Sequence, residues 1–538
     1  MKRQPAFHVV MVMLCLLTAC APATPPPPAD TPAPSTPVPT PTLAPTPTPA
    51  PYVTPQWFAE GVLYQIFVRS FADSNGDGMG DLDGITQQLD YLQSLGVTSL
   101  WLTPIFGADT YHGYDTTDYY AINPDFGAKA DLIELVDAAH ARDMRIILDY
   151  VASHTSNQHP FFKDALANPD SEYSDWYKFK DDKNLNYESF FGVTSLPTLN
   201  HTNADANAYF IDVAKYWMDL DDDGDYSDGI DGWRCDYALG TPHGFWRQLR
   251  AELKVLNPNF LLLGEVWVGS ADNLELYFEH EFDALFDFPL LTALMGDKIE
   301  QPNDSALAGK LPASITLKML EDQRRLFLPQ SILVRFLSNH DTDRLGTELS
   351  DTPERLRLAP LLLATLHGTP MIYYGEELGL AGHKGAGPLY DEYRREPMPW
   401  QAAGGAPEPT WFKPKYSLPD DGISVAEQTD DPASLLNAYR AAMALRAANE
   451  ALRTGAYQVL RVEPRPGVVA YWRYTDGQII SAVFNLGLAA TTVSLDLAAA
   501  PGPLAAQPKD LQTGATLTLD PQALTLEPGQ ALVLDWTP

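Results

Sequence analysis

Gly229-Ile230-Asp231-Gly232-Trp233-Arg234-Cys235-Asp236 is the stretch on which the fold turns: a run of strand length that closes on an acid. Leu261-Leu262-Leu263-Gly264-Glu265-Val266-Trp267 and Phe336-Leu337-Ser338-Asn339-His340-Asp341 share this form. A carboxylate at the end of a buried strand is costly unless it is paired or used. Working outward from these three, apolar runs at 62–67, 99–103, 145–150, 232–236, 261–266, 282–286, 332–337 and 370–374 read as strands. Amphipathic helical patterns lie between them at 83–95, 129–142, 206–220 and 352–367. Thr241-Pro242 and Thr352-Pro353 have the form of an N-cap followed by proline at the first helical position. Eight strands alternating with helices predict an α/β protein, a parallel (β/α)8 TIM barrel. Residues 155–204, after the third strand, are too many for an ordinary loop and predict a small inserted domain. The barrel then occupies 56–154 and 205–453. Alternating stretches at 468–474 and 479–485 predict a C-terminal antiparallel β-sandwich over 454–538.

The N-terminus reads as an address. Lys2 and Arg3 precede an apolar run at 9–17 that is too short to span a bilayer, so 1–19 is expected to be a signal peptide. Leu17-Thr18-Ala19-Cys20 resembles the bacterial lipoprotein box, which implies that Cys20 carries lipid. The expected location is exported, as a cell-surface or periplasm-facing lipoprotein that meets the membrane only through its anchor. Residues 20–55 are almost entirely Pro, Thr and Ala, a composition that favours an extended stalk. At about 3.1 Å per residue it would reach on the order of 100 Å. Cys235 is then the only free thiol of a mature chain, which precludes an internal disulfide. A formal net charge of −34 opposes binding to a nucleic-acid backbone and favours an uncharged substrate. A monomer is expected.

In a barrel the chemistry sits at the C-terminal ends of the strands. Side chains alternate along a strand, so Arg234 and Asp236 share a face while Cys235 turns away. Arg234 is expected to keep Asp236 ionised, as a nucleophile requires; the alternative is a structural ion pair inside the barrel. Glu265 follows a desolvating apolar run, and burial raises a carboxyl toward the range of a general acid; the alternative is a rim ion pair. Asn339-His340-Asp341 alone reads equally well as a helix cap. Three acids at matching strand ends point instead to the paired-carboxylate chemistry of glycosidic cleavage.

Taken together these segments closely resemble the alpha-amylase family, glycoside hydrolase family 13, from about Trp57 to the end of the chain. Asp149-Tyr150-Val151-Ala152-Ser153-His154 is similar to its first motif, ending in the substrate-contacting His154. The resemblance implies Asp236 as nucleophile, Glu265 as acid/base and Asp341 as transition-state stabiliser. Tyr111-His112-Gly113-Tyr114-Asp115 resembles the segment that holds the sugar before the cleaved bond. It implies His112, Tyr114, His154, Arg234 and His340 as substrate-binding residues. Ser153 and Leu239-Gly240 depart from the asparagine and the lysine–histidine pair of many alpha-amylases. Leu196-Pro197-Thr198-Leu199-Asn200 and Arg395-Glu396-Pro397-Met398-Pro399-Trp400 resemble a group intermediate between amylases and oligo-1,6-glucosidases. The implied activity is retaining hydrolysis of alpha-1,4-glucosidic bonds in starch, glycogen or maltooligosaccharides. The alternatives are an exo-acting alpha-glucosidase or oligo-1,6-glucosidase, a 4-alpha-glucanotransferase, or, in another class, a non-catalytic surface sugar-binding protein.

Asp73-Ser74-Asn75-Gly76-Asp77-Gly78-Met79-Gly80-Asp81 offers oxygen ligands at alternate positions around a glycine turn, as a hard cation needs. It resembles the calcium loop after the first barrel strand of the oligo-1,6-glucosidase branch. That resemblance implies Ca2+ on Asp73, Asn75, Asp77, Asp81 and the Met79 carbonyl. A second acidic run, 219–228, reads equally as a solvated loop or a further ion site.

Overall fold

Eight short strands with almost no polar alternation form the centre of the molecule: β1 (Leu63–Ile66), β2 (Ser99–Leu102), β3 (Arg145–Tyr150), β4 (Gly232–Cys235), β5 (Leu261–Gly264), β6 (Ala284–Phe286), β7 (Ile332–Arg335) and β8 (Thr369–Tyr373). They are apolar along their length because helices cover one face and the packed barrel interior the other. Each pairs in parallel with the next, and β8 returns to β1 to close the barrel. The computed structural model describes residues 55–278, 280–296, 305–328, 330–464 and 467–538. Cys20, the leader and the Pro/Thr-rich stretch to residue 54 lie outside the described residues. No helix among the described residues is long and apolar enough to cross a membrane.

All eight expected strands are present. The sixth is shorter than its sequence suggests: it begins at Ala284, although Asp283 still donates its N–H to the Leu262 carbonyl at 2.9 Å. Its Oδ2 accepts the Leu262 N–H at 2.9 Å, while Arg250 and Lys254 pair with it. The helix expected at 83–95 divides into Leu82–Gln87 and Leu89–Ser94, with Gln88 out of helical geometry between them. Asn203 caps Ala204–Tyr216 through the Ala206 N–H. Thr352-Pro353 opens a 3₁₀ turn as expected. Thr241-Pro242 does not: Pro242 is extended at ψ 144° and is itself the N-cap of His243–Leu256.

Residues 155–203 hold one α-helix, Pro160–Ala167, two 3₁₀ turns and a few isolated bridges. Aromatic packing organises them. Phe161 stacks on Tyr173 at 4.2 Å, and Phe162 meets Tyr177 and Tyr187 edge-on. The bridge between His154 and Thr198 fastens this insertion to the end of β3. At the C-terminus, a five-stranded and a three-stranded antiparallel sheet enclose a separate core that includes Val468, Trp472, Val493, Leu526 and Trp536. Arg473 of this domain and Arg446 donate to the last carbonyls around the helix Leu358–Thr365. Two buried guanidiniums are tolerated there because they donate to carbonyls at a helix C-terminus, which carries partial negative charge.

Candidate active site

The ends of β3, β4 and β5 converge on one guanidinium. Asp149 of β3 and Arg234 of β4 are register partners, and Arg234 is fully buried. Its Nη1 donates to Asp149 Oδ1 and to Asp236 Oδ1, each at 2.8 Å, and its Nη2 lies 2.6 Å from Glu265 Oε1. The expected alternation holds: Arg234 and Asp236 meet on one face while Cys235 is buried on the other. Tyr237, directly after Asp236, adopts a left-handed backbone with φ 39° and ψ 55°. That turn aims its N–H at Glu265 Oε2, 2.9 Å away. A bulky residue in this region is strained, and such strain concentrates at functional sites.

One positive charge therefore serves three buried carboxylates. Burial pushes Asp236 and Glu265 each up to about 7, and Asp149 up to about 6, with Arg234 opposing the rise in every case. Arg234 does not by itself hold Asp236 in the ordinary carboxylate range, as the sequence suggested. Desolvation outweighs a charge divided three ways. Burial pushes all three carboxyls upward against a single guanidinium, which favours retention of a proton within the set.

Asp341 sits across the mouth on the loop after β7, its side chain about one third exposed at 32%. Burial raises its pKa, but His340, Arg395 and Arg234 outweigh that and hold it below the usual value. Arg395, on the loop after β8, donates from Nη2 to Asp341 Oδ1 at 3.0 Å and from Nε to the His340 carbonyl at 3.0 Å. Tyr114 stacks on His340 at 5.5 Å with the rings 8° apart, and its hydroxyl donates to Asp149 Oδ2 at 3.0 Å. His112 is beside Tyr114, its Nδ1 accepting the Tyr114 N–H at 3.1 Å. Tyr114, Arg234 and His340 thus join the three acids in one constellation. His154 stands behind it, with Nδ1 on Ser153 Oγ at 2.8 Å and Nε2 on the Tyr114 carbonyl at 3.1 Å. Burial lowers His112 and His154 to about 4 and His340 to about 3, so all three rings are neutral.

Three residues of the site carry no role in the sequence reading. Asp149 lies one residue from the end of β3, an acid in an apolar run, so the signal was present. Gln65, a fully buried amide within β1, places Nε2 2.7 Å from His340 Nδ1. Arg395 lies on an irregular loop where no periodicity points to it.

The Asp73–Asp81 loop is folded by its own acids. Asp73 accepts the N–H groups of Gly76 and Gly78, Asp77 that of Met79, and Asp81 caps the next helix through Gly84. Its donors are all oxygens, which suits a hard cation. The Met79 sulfur faces Arg69 at 2.8 Å, which leaves the backbone carbonyl as that residue's ligand atom. Among the described residues, however, the acids whose ligand atoms all lie within 4.8 Å of one another are Asp219, Asp221 and Asp223 of the second run.

A closed parallel barrel with arginine-linked acids at its mouth is the architecture of a glycoside hydrolase. Residues 65–455 match the alpha amylase catalytic domain. The chain is 34% identical over 451 residues to Alpha-amylase 3 of Dictyoglomus thermophilum, spanning 80% of this chain and 85% of that protein. It is 33% identical over 463 residues to a cyclomaltodextrinase of Bacillus sp, spanning 80% and 73%. The structure superposes on the alpha-amylase from H. orenii with a TM-score of 0.75 at 31% identity, covering 89% of this chain and 99% of that one. The chain belongs to the alpha-amylase family, glycoside hydrolase family 13.

The shared charge has a consequence for stability. Because folding raises Asp236 and Glu265, the folded state binds more protons than the unfolded chain between their ordinary values and about 7. Both groups therefore cost stability as pH rises through that window. Asp236→Asn and Glu265→Gln are each expected to melt like wild type at about pH 4 and a few degrees higher at about pH 8. In each variant two carboxylates remain for Arg234. Calorimetry at the two pH values checks this, and a loss of stability at the higher pH contradicts it.

Proposed function

We propose that the chain is a retaining hydrolase of alpha-1,4-glucosidic bonds in starch, glycogen or maltodextrins. The observation that carries this reading is that Asp236 and Glu265 occupy the two terminal nitrogens of the same guanidinium. That holds the pair close together, as a double-displacement mechanism requires. Asp236 keeps Oδ1 on Arg234, and Oδ2 has no protein partner among the described residues, so it is the attacking atom. It bonds to the anomeric carbon as the glycosidic C–O bond breaks, and the leaving oxygen takes the proton of Glu265. Water then attacks the same carbon, returns its proton to Glu265 and frees Asp236. Asp341, held ionised, faces the positive charge that develops on the sugar ring. Tyr114 supplies the stacking surface.

Family relatives named cyclomaltodextrinase support a second reading, in which cyclic or short maltodextrins are preferred to starch. Products from maltoheptaose, soluble starch and a cyclodextrin, resolved by chromatography and by the anomer first released, separate the two. The first reading expects short oligosaccharides from maltoheptaose and starch, released as α-anomers. Faster turnover of the cyclodextrin favours the second, and inert substrates or β-anomers overturn both. Asp236→Asn is expected to lower kcat by about 10³-fold or more in a folded protein.

We propose in addition that Asp73, Asn75, Asp77, Asp81 and the Met79 carbonyl hold Ca2+. The ion would brace the loop after β1 and take no part in bond cleavage. Chelation with EDTA is then expected to lower the wild-type melting temperature by mass action, and to lower that of Asp77→Ala less. An unchanged wild-type melt, or an equal drop in the variant, rejects the site.

A further inference from the structure

Gln65 is an amide buried in the barrel wall, and the chemistry proposed above leaves it without a task. Its Nε2 lies 2.7 Å from His340 Nδ1. On the far side of the ring, His340 Nε2 lies 2.7 Å from Tyr114 Oη and 3.2 Å from Asp341 Oδ2. Tyr114 Oη in turn reaches Asp149 Oδ2 at 3.0 Å. With the amide nitrogen on that side, Gln65 donates, Nδ1 accepts and the ring proton sits on Nε2.

The rest of the chain agrees with that placement. With hydrogen on Nε2, the imidazole donates toward Tyr114 Oη and Asp341 Oδ2, and the tyrosine keeps its own proton for Asp149. With hydrogen on Nδ1, a lone pair on Nε2 faces the Asp341 carboxylate, and Tyr114 must choose between Asp149 and His340. The arrangement leaves Gln65 Oε1 buried with no partner among the described residues, a cost comparable to a lost hydrogen bond. Such a cost is unexplained if Gln65 only fills space.

We propose that Gln65 is a positioning residue. By donating to Nδ1 it fixes His340 as the Nε2–H tautomer and so aims a neutral donor at Asp341 and at the hydroxyls of the sugar bound beside it. The contribution to turnover rests on the hydrolase reading; the tautomer does not. In the reaction the ring neither gains nor loses a proton. It holds one at Nε2 while Asp236 and Glu265 carry out the bond changes.

The test uses full-length enzyme labelled with 15N histidine, and Gln65→Leu and Gln65→Glu beside wild type. Nitrogen NMR near pH 7 is expected to show His340 of wild type with Nε2 protonated and Nδ1 bare. Gln65→Glu, examined also at about pH 9 where a buried carboxyl ionises, replaces the donor by an acceptor, so Nδ1 is expected to become protonated there. Gln65→Leu is expected to lower kcat on maltoheptaose by about tenfold or more, with KM changed less than about twofold. A purely structural role would lower the melting temperature but leave the kcat of the folded enzyme and the tautomer as they were. Protonated Nδ1 in wild type, an unchanged tautomer in Gln65→Glu at that higher pH, or wild-type kcat in folded Gln65→Leu overturns the proposal. Should wild type prove inert on all glucans, the hydrolase reading fails while the NMR result still decides the tautomer.

Discussion

Everything at the mouth of this barrel depends on how one guanidinium is shared. Arg234 is fully buried and holds Asp149, Asp236 and Glu265 at once. A single positive charge cannot neutralise three carboxylates in a desolvated site, so at least one of them is better off protonated. The acid and the nucleophile of a glycoside hydrolase need opposite protonation states at one pH. Here the shortage of positive charge favours a proton within the cluster, and Glu265 in addition accepts the Tyr237 N–H. Asp341 stands apart in this respect, because Arg395 pairs with it at 3.0 Å, with Asp391 farther off at 3.7 Å, and its side chain is partly exposed.

The backbone is bent to serve the same cluster. Tyr237 takes a left-handed conformation immediately after Asp236, which turns its N–H to Glu265. The inserted domain closes against that corner: Phe190 lies 4.9 Å from the Tyr237 ring and 4.7 Å from His154. Trp267, two residues beyond Glu265, is partly exposed and stacks on Phe288 at 4.8 Å. Aromatic faces of this kind suit the apolar faces of sugar rings.

The barrel was legible because its strands are predominantly apolar runs, and Asp236, Glu265 and Asp341 were legible because each ends such a run. Asp149 carries a similar signal, but the family resemblance points to His154, whose ring nitrogens are both engaged with the protein. Gln65 and Arg395 were not legible. A polar residue within an apolar strand reads as a blemish, and a loop arginine reads as solvent-facing, until three-dimensional packing supplies partners. The interior of the 155–204 insertion was opaque for a related reason. It is held by ring packing between residues far apart in sequence, which leaves no period to detect. The effect of Arg234 on Asp236 was legible in direction but not in outcome, since pairing could be inferred from adjacency whereas the depth of burial could not.

The measurement closest to the central claim is a direct titration of the clustered carboxyls, by 13C NMR of wild-type enzyme labelled at aspartate and glutamate side chains. The account predicts that a proton remains within the Asp149, Asp236 and Glu265 set up to about pH 7, while Asp341 is ionised below its ordinary carboxylate value. Ionisation of all three clustered acids by about pH 5 would show that Arg234 suffices to neutralise its neighbours, and would contradict it.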